Sequence, residues 1–176
     1  MKNFKKIICS FIVISTLILV FTLSSFFRGT ENSEAAIISV KTLTWNLVDS
    51  GKNLDWGGNS AYLSSFTSGV STWNAYKPGV IRKDTLSTIE DVTISDYTEV
   101  SNTAGVASPS GTIRFNTHIM KNLDPTQKLN VATHELGHVL GLAHNVATDV
   151  MYEYVSNNVN LSINDKASYD AAYSKY

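Results

Sequence analysis

The chain carries the run His134-Glu135-Leu136-Gly137-His138-Val139-Leu140-Gly141-Leu142-Ala143-His144, and three of its four histidines stand in these eleven residues. On a helix, residues four apart lie one turn above one another on a single face. His134 and His138 can therefore hold one metal ion from the same side. Glu135 is turned about a quarter of a circle away, at about 3.6 residues per turn, which suits a base beside the metal better than a ligand on it. Gly141 can adopt the left-handed backbone that ends a helix. The chain then turns back, and His144 can supply a third nitrogen. Three protein ligands with one position left for water is the arrangement of catalytic zinc, whereas structural zinc more often has four closed positions and cysteines among them. No cysteine follows Cys9. Three imidazoles beside a carboxylate thus point to one zinc ion and to hydrolysis by activated water, with Glu135 taking the proton and handing it on.

The elements around this run can be read outward. Asp124 can cap a helix, Pro125 suits its first position, and Gln127 completes a capping box. The helix should then run through Val131, Ala132, Leu136, Val139 and Leu140 to Gly141, with its apolar side under a sheet and the two histidines facing a cleft. A final helix should begin near Ser162, with Asp165 closing a second capping box, and continue toward Tyr173. Upstream, Tyr62, Phe66, Val70 and Trp73 repeat at helical spacing, which predicts a helix from Ser60 to about Tyr76. Gly69 weakens that helix by about 1 kcal/mol relative to alanine unless a close neighbour requires it.

Leu43, Trp45 and Leu47 alternate with polar residues and predict a half-buried strand. The segment from Asp49 to Asn59 is rich in Gly, Asn and Asp and reads as a loop. Pro78-Gly79 breaks the chain. Val80 to Arg82, Val92 to Ile94 and Thr112 to Asn116 are expected strands, and Asn102 to Gly111 reads as loop-like. Strand, helix and then more strands give an α+β fold, or an α/β-like layer with helices on the sheet.

The first 36 residues stand apart. Lys2, Lys5 and Lys6 precede a nearly continuous apolar run from Ile7 to Phe27, and Ser33-Glu34-Ala35-Ala36 offers small residues for cleavage. This is the layout of a secretory signal peptide. The run also reaches the about 20 apolar residues that span a bilayer, so an N-terminal membrane anchor is the alternative. Either way residues 37–176 are expected outside, secreted or held at the cell surface. They form one domain without disulfides, expected to be monomeric. From Ile37 onward ten basic residues face thirteen acidic ones, with no basic stripe, which argues against nucleic acid.

The zinc-binding run resembles the long signature of the metzincin peptidases. Their second mark is a methionine turn, and Thr148-Asp149-Val150-Met151-Tyr152 is similar to it. The short step from His144 to Met151, and the wording Asp-Val-Met-Tyr, resemble matrixins most. Ser71-Thr72-Trp73-Asn74, Asp91-Val92-Thr93-Ile94 and Gly111-Thr112-Ile113-Arg114-Phe115-Asn116 are similar to matrixin segments in the same order. Glu153 stands where astacin-like and serralysin-like members carry a tyrosine, so an extra tyrosine ligand is absent. The third ligand is His144, not the aspartate of snapalysin-like members.

The resemblance implies a metzincin fold. Its twisted sheet is mostly parallel, with an antiparallel edge strand, an active-site helix and a C-terminal helix. It implies His134, His138 and His144 on zinc, Glu135 as catalytic base and acid, Met151 as an apolar floor and Gly141 at the turn. It also implies a peptide substrate lying extended along an edge strand within about Ser101 to Ser108, and a pocket bordered by Tyr152 and Tyr154. The function implied is a secreted zinc endopeptidase, acting on proteins or on cell-wall peptides. A secreted zinc-containing binding module without hydrolysis is the alternative. Thiol-capped latency is not expected, since the one cysteine lies in the leader. A second zinc is not expected either, since only His118 lies upstream. Calcium cannot be assigned from the scattered acidic residues.

Overall fold

Residues 37–176 are described by the computed structural model; the expected signal peptide or anchor, residues 1–36, lies outside them. Five strands form one sheet: β1 (Leu54–Gly58), β2 (Ile81–Lys83), β3 (Val92–Tyr97), β4 (Gly105–Ser108) and β5 (Thr112–Asn116). Their order is β2-β1-β3-β5-β4. The first four pair in parallel, and β4 joins β5 antiparallel at the edge. Four helices complete the fold: α1 (Leu63–Tyr76), the short α2 (Thr117–Met120), α3 (Pro125–Val139) and α4 (Ile163–Tyr173). The mostly parallel sheet with one antiparallel edge, and the two later helices, match the expected architecture.

The sheet's inward side chains, among them Leu54, Ile94, Ile113 and Phe115, are fully buried with Phe66 and Trp73 of α1 and Leu136 of α3. α1 and α3 approach closely because Gly69 has no side chain: a Cβ there would stand 3.0 Å from the Thr133 hydroxyl and 3.2 Å from Leu136. That contact accounts for a glycine inside a helix. Beside it the Trp73 indole N–H donates to the Thr133 carbonyl at 2.9 Å. The anchor ties α1 to the turn of α3 just before His134.

Three local expectations need correction. Leu43 to Leu47 is not a strand of the sheet. It runs along the C-terminal end of α3, where Leu43 N–H donates to Gly141 O at 2.7 Å and Leu47 N–H to Val139 O at 2.9 Å. The last carbonyls of a helix lack partners within it; the Leu47 amide supplies one to Val139, and the Leu43 amide binds the turn just beyond. The segment Asp49 to Asn59 is not wholly loop, because it contains β1. There Asp55 is 2 % exposed and grips Arg82 of β2 through two bonds of 2.9 and 2.7 Å. A buried carboxylate, followed by Gly57 and Gly58, conceals the alternation that marks a strand. Within the loop-like stretch Asn102 to Gly111 lies β4, inside the range expected for an edge strand.

Candidate active site

α3 begins as its residues dictate. The Asp124 side chain accepts the Gln127 amide at 2.9 Å, and Gln127 returns a bond to the Asp124 amide at 3.2 Å. Pro125 occupies the first turn, where no donor is missed. At the other end Gly141 takes φ +91°, a backbone that side chains resist. This turn carries His144 back toward His134 and His138. One ring nitrogen from each of the three lies within 4.8 Å of the other two.

The two helical imidazoles are oriented from behind. His134 Nδ1 lies 3.0 Å from the Val150 carbonyl, and His138 Nδ1 lies 2.9 Å from the Leu142 carbonyl. A carbonyl can only accept, so in each neutral ring the proton sits on Nδ1 and Nε2 presents a lone pair. His138 Nε2 and His144 Nε2 stand 3.2 Å apart. Two nitrogens on one tetrahedral zinc, each at about 2.0–2.1 Å, are roughly 3.4 Å apart. Burial, with the nearby His138, pushes the His134 imidazole down to about 3. Burial likewise lowers His138. The neutral form is therefore favoured, and it is the form that binds metal. The residues fit a zinc ion by donor type, spacing and protonation.

Glu135 lines the same cleft. Burial pushes its carboxyl up to about 8, opposed in part by a hydrogen bond from the Ala107 amide of β4. Across from it Gly105 leaves room: a Cβ there would meet Glu135 Cγ and Oε1 at 2.8 Å. Met151 is 1 % exposed and packs against Gly137, where any side chain would strike its sulfur. The cleft, about 440 Å³, has β4 and the Asn102–Ala104 segment on one side and Tyr152, Glu153, Tyr154 and Val155 on the other. Tyr152 and Tyr154 pack edge to face at 5.4 Å.

The matrixin family model matches residues 101–174, which include β4, the three histidines, Met151 and α4. The fold is similar to that of archaemetzincin from Methanopyrus kandleri, at 16 % identity and a TM-score of 0.51, over 72 % of this chain and 99 % of that one. This chain is metzincin-like. It is a zinc metallopeptidase by class, and His134, His138 and His144 form a group that could hold the metal. Archaemetzincin from Archaeoglobus fulgidus complexed with malonate also matches, at 16 % identity and a TM-score of 0.43, over 66 % of this chain and 99 % of that one. So does the GM1-bound form of the ECX AB5 holotoxin, at 16 % identity and a TM-score of 0.45, over 76 % and 78 %. No curated protein matches the chain in sequence.

Several residues of this metzincin-like site escape a reading of the sequence. Asp165 is more than a helix cap. Its carboxylate accepts the amides of Val150 at 2.9 Å, Met151 at 3.2 Å and Ser162 at 2.9 Å, so α4 fixes the methionine turn. Asn145 N–H donates to Met151 O at 2.8 Å and closes the loop after His144. Buried Asn116 donates to Glu99 O at 2.9 Å and to Thr103 O at 3.0 Å, shaping the approach to β4. The upstream histidine, His118, lies on α2 and is not among the three that converge. Asp49, Asp55 and Asp91 also gather, but Asp55 is taken by Arg82 and Asp91 accepts the Asp55 amide at 2.8 Å.

Proposed function

We propose that this metallopeptidase is an exported endopeptidase in which Glu135 is the general base and then the general acid. The observation that carries the reading is the cleft itself. It runs past the three imidazoles and Glu135, with an edge strand along one side. Among the described residues β4 pairs with β5 alone, so backbone groups on its outer side, the Ala107 amide apart, can receive an extended peptide as a further strand. Main-chain pairing of this kind binds the middle of a chain as readily as its end, which favours internal cleavage.

His134, His138 and His144 would hold the zinc. When bound, the ion supplies Lewis-acid polarisation of water and of the scissile carbonyl. A cation bound beside it would favour the ionised form of Glu135, which accepts the proton of the attacking water and returns it to the departing amine. Gly105 gives the carboxylate space, and Met151 packs against Gly137 as a dry floor. Tyr152 and Tyr154 border the side-chain pocket. Export follows from the lysine head and apolar run of the leader. The direct test profiles the purified protein against a mixed peptide library, with zinc measured by elemental analysis. Cleavage at internal bonds that a chelator abolishes and zinc restores is expected. Zinc-loaded protein that trims only chain ends, or cleaves nothing, overturns the endopeptidase reading.

A further inference from the structure

One face of the domain draws positive charge from three distant parts of the chain. Lys166, Asp170 and Tyr173 follow one another at helical spacing along α4, so they share one stripe of it. Tyr76 and Lys77, at the end of α1, meet that stripe. Lys77 Nζ donates to Asp170 Oδ1 at 2.6 Å, and the Tyr76 hydroxyl donates to Asp170 Oδ2 at 2.7 Å. Lys52 arrives from the turn before β1, and its Nζ reaches the Tyr173 carbonyl at 3.5 Å. Two tyrosine rings space the ammoniums. Lys52 and Lys77 each lie 4.7 Å from the centre of the Tyr173 ring, and Lys77 and Lys166 lie 5.1 and 5.7 Å from the centre of Tyr76. Among the described residues the ion pairs are Lys77 with Asp170 and Arg82 with Asp55, so no paired carboxylate compensates Lys52 or Lys166. The same face borders a second cleft, of about 480 Å³, lined by Ser71, Thr72, Tyr76, Asn160 and Lys166 and by no acidic residue. The Ser71 and Thr72 hydroxyls donate to Thr67 O at 3.0 Å and Ser68 O at 3.2 Å, which leaves their lone pairs for an outside donor. Asn160 is exposed and can both donate and accept.

We propose that this face binds an anionic polysaccharide, with acidic groups on Lys52 and Lys166 and a sugar unit in the second cleft beside Tyr76. Charge complementarity selects the partner. Residues 37–176 hold ten basic and thirteen acidic residues, so a polyanion gains nothing from the net charge and must find a local cluster of cations, within a Debye length of about 8–10 Å. A single exposed ion pair contributes little, so the partner needs repeated acidic groups along one chain. The hydroxyl and amide lining then favours sugar hydroxyls over a lipid surface. This cleft shares no lining residue with the one that holds Glu135 and the histidines. A polymer seated here would hold the enzyme on a surface and leave the catalytic cleft open, and the proposal does not depend on the peptidase reading.

The test measures the affinity of the purified protein for dextran sulfate, polygalacturonate, neutral dextran and phosphatidylglycerol vesicles across a range of salt. Wild type should bind at least one of the two acidic polymers and not the neutral one. The double variant Lys52→Gln, Lys166→Gln should bind that polymer at least roughly tenfold more weakly, with a flatter salt dependence because fewer counterions are released. The double variant Lys121→Gln, Lys128→Gln removes the same charge elsewhere and should bind as wild type does. Urea midpoints of both should match wild type, as expected for surface positions. Should the first double variant be less stable, Lys166→Gln alone, at an exposed position, carries the comparison. No binding to either acidic polymer, or equal losses in the two double variants, would overturn the proposal. Tighter binding to the vesicles than to either polymer would assign the face to a membrane and overturn it as well.

Discussion

Glu135 is closely packed against β4. The bare Cα of Gly105 faces it. Glu135→Gln keeps the shape and removes the proton transfer. Hydrolysis should fall by about 10²–10⁴-fold while bound zinc, measured by elemental analysis, stays at the wild-type level; a fully active variant would exclude Glu135 as the base. Gly105→Ala attacks the same group from outside. Its methyl would stand 2.8 Å from Cγ and Oε1, so the carboxylate must swing aside. A misplacement on the order of 1 Å can cost roughly 10²-fold, and kcat should drop accordingly with zinc retained. An unchanged kcat would show that the carboxylate does not depend on that space. The histidines and Glu135 are legible in the sequence because their spacing is local to one helix and one turn. Gly105 is not, because it matters through a contact with Glu135, more than twenty positions away.

The elements obey the same division. α3 and α4 were readable to within a residue or two because capping boxes are local: Asp124 with Gln127, and Ser162 with Asp165. The segment Leu43 to Leu47 alternates like a strand, yet its partners are Val139 at the end of α3 and Gly141 just beyond it, not another strand. β1 was missed because its pairing depends on Arg82, on a neighbouring strand. Asp165 shows how a local signal can understate a residue. As a capping partner alone it would matter no more than Ser162, whose replacement by alanine should cost about 1 kcal/mol. It also accepts the amides of Val150 and Met151 in a buried setting. Orphaning such buried donors costs about 1–3 kcal/mol each, so Asp165→Ala should lower stability several times more than Ser162→Ala. Urea midpoints of the two variants check this, and equal losses would reduce Asp165 to a cap.

At the scale of the whole domain, the site is a source of instability that zinc offsets. His134 is pushed down to about 3 from 6.5, by burial first and by the neighbouring His138 second. His138 is lowered as well, again by burial first. Glu135 is pushed up to about 8 from 4.5 by burial. Without metal, the unfolded chain takes up protons on these histidines below 6.5 that the folded domain refuses, so stability falls as pH drops from 6.5 toward 3. The carboxyl has the opposite sign. The unfolded chain ionises Glu135 above 4.5 while the folded domain holds the proton, so its contribution falls as pH rises from 4.5 to 8. The site's contribution to the metal-free domain should therefore be greatest between 4.5 and 6.5 and decline on both sides. Zinc binds only the neutral imidazoles, so it should raise the urea midpoint near neutral pH and lose that effect in acid as protons displace it. Glu135→Gln separates the two limbs, since it cannot ionise: its metal-free midpoint should no longer decline between 6.5 and 8 and should keep the acid limb. Urea midpoints across that range, with chelator and with zinc, decide the matter. A wild-type alkaline limb that survives unchanged in Glu135→Gln would place the titrating group elsewhere in the domain.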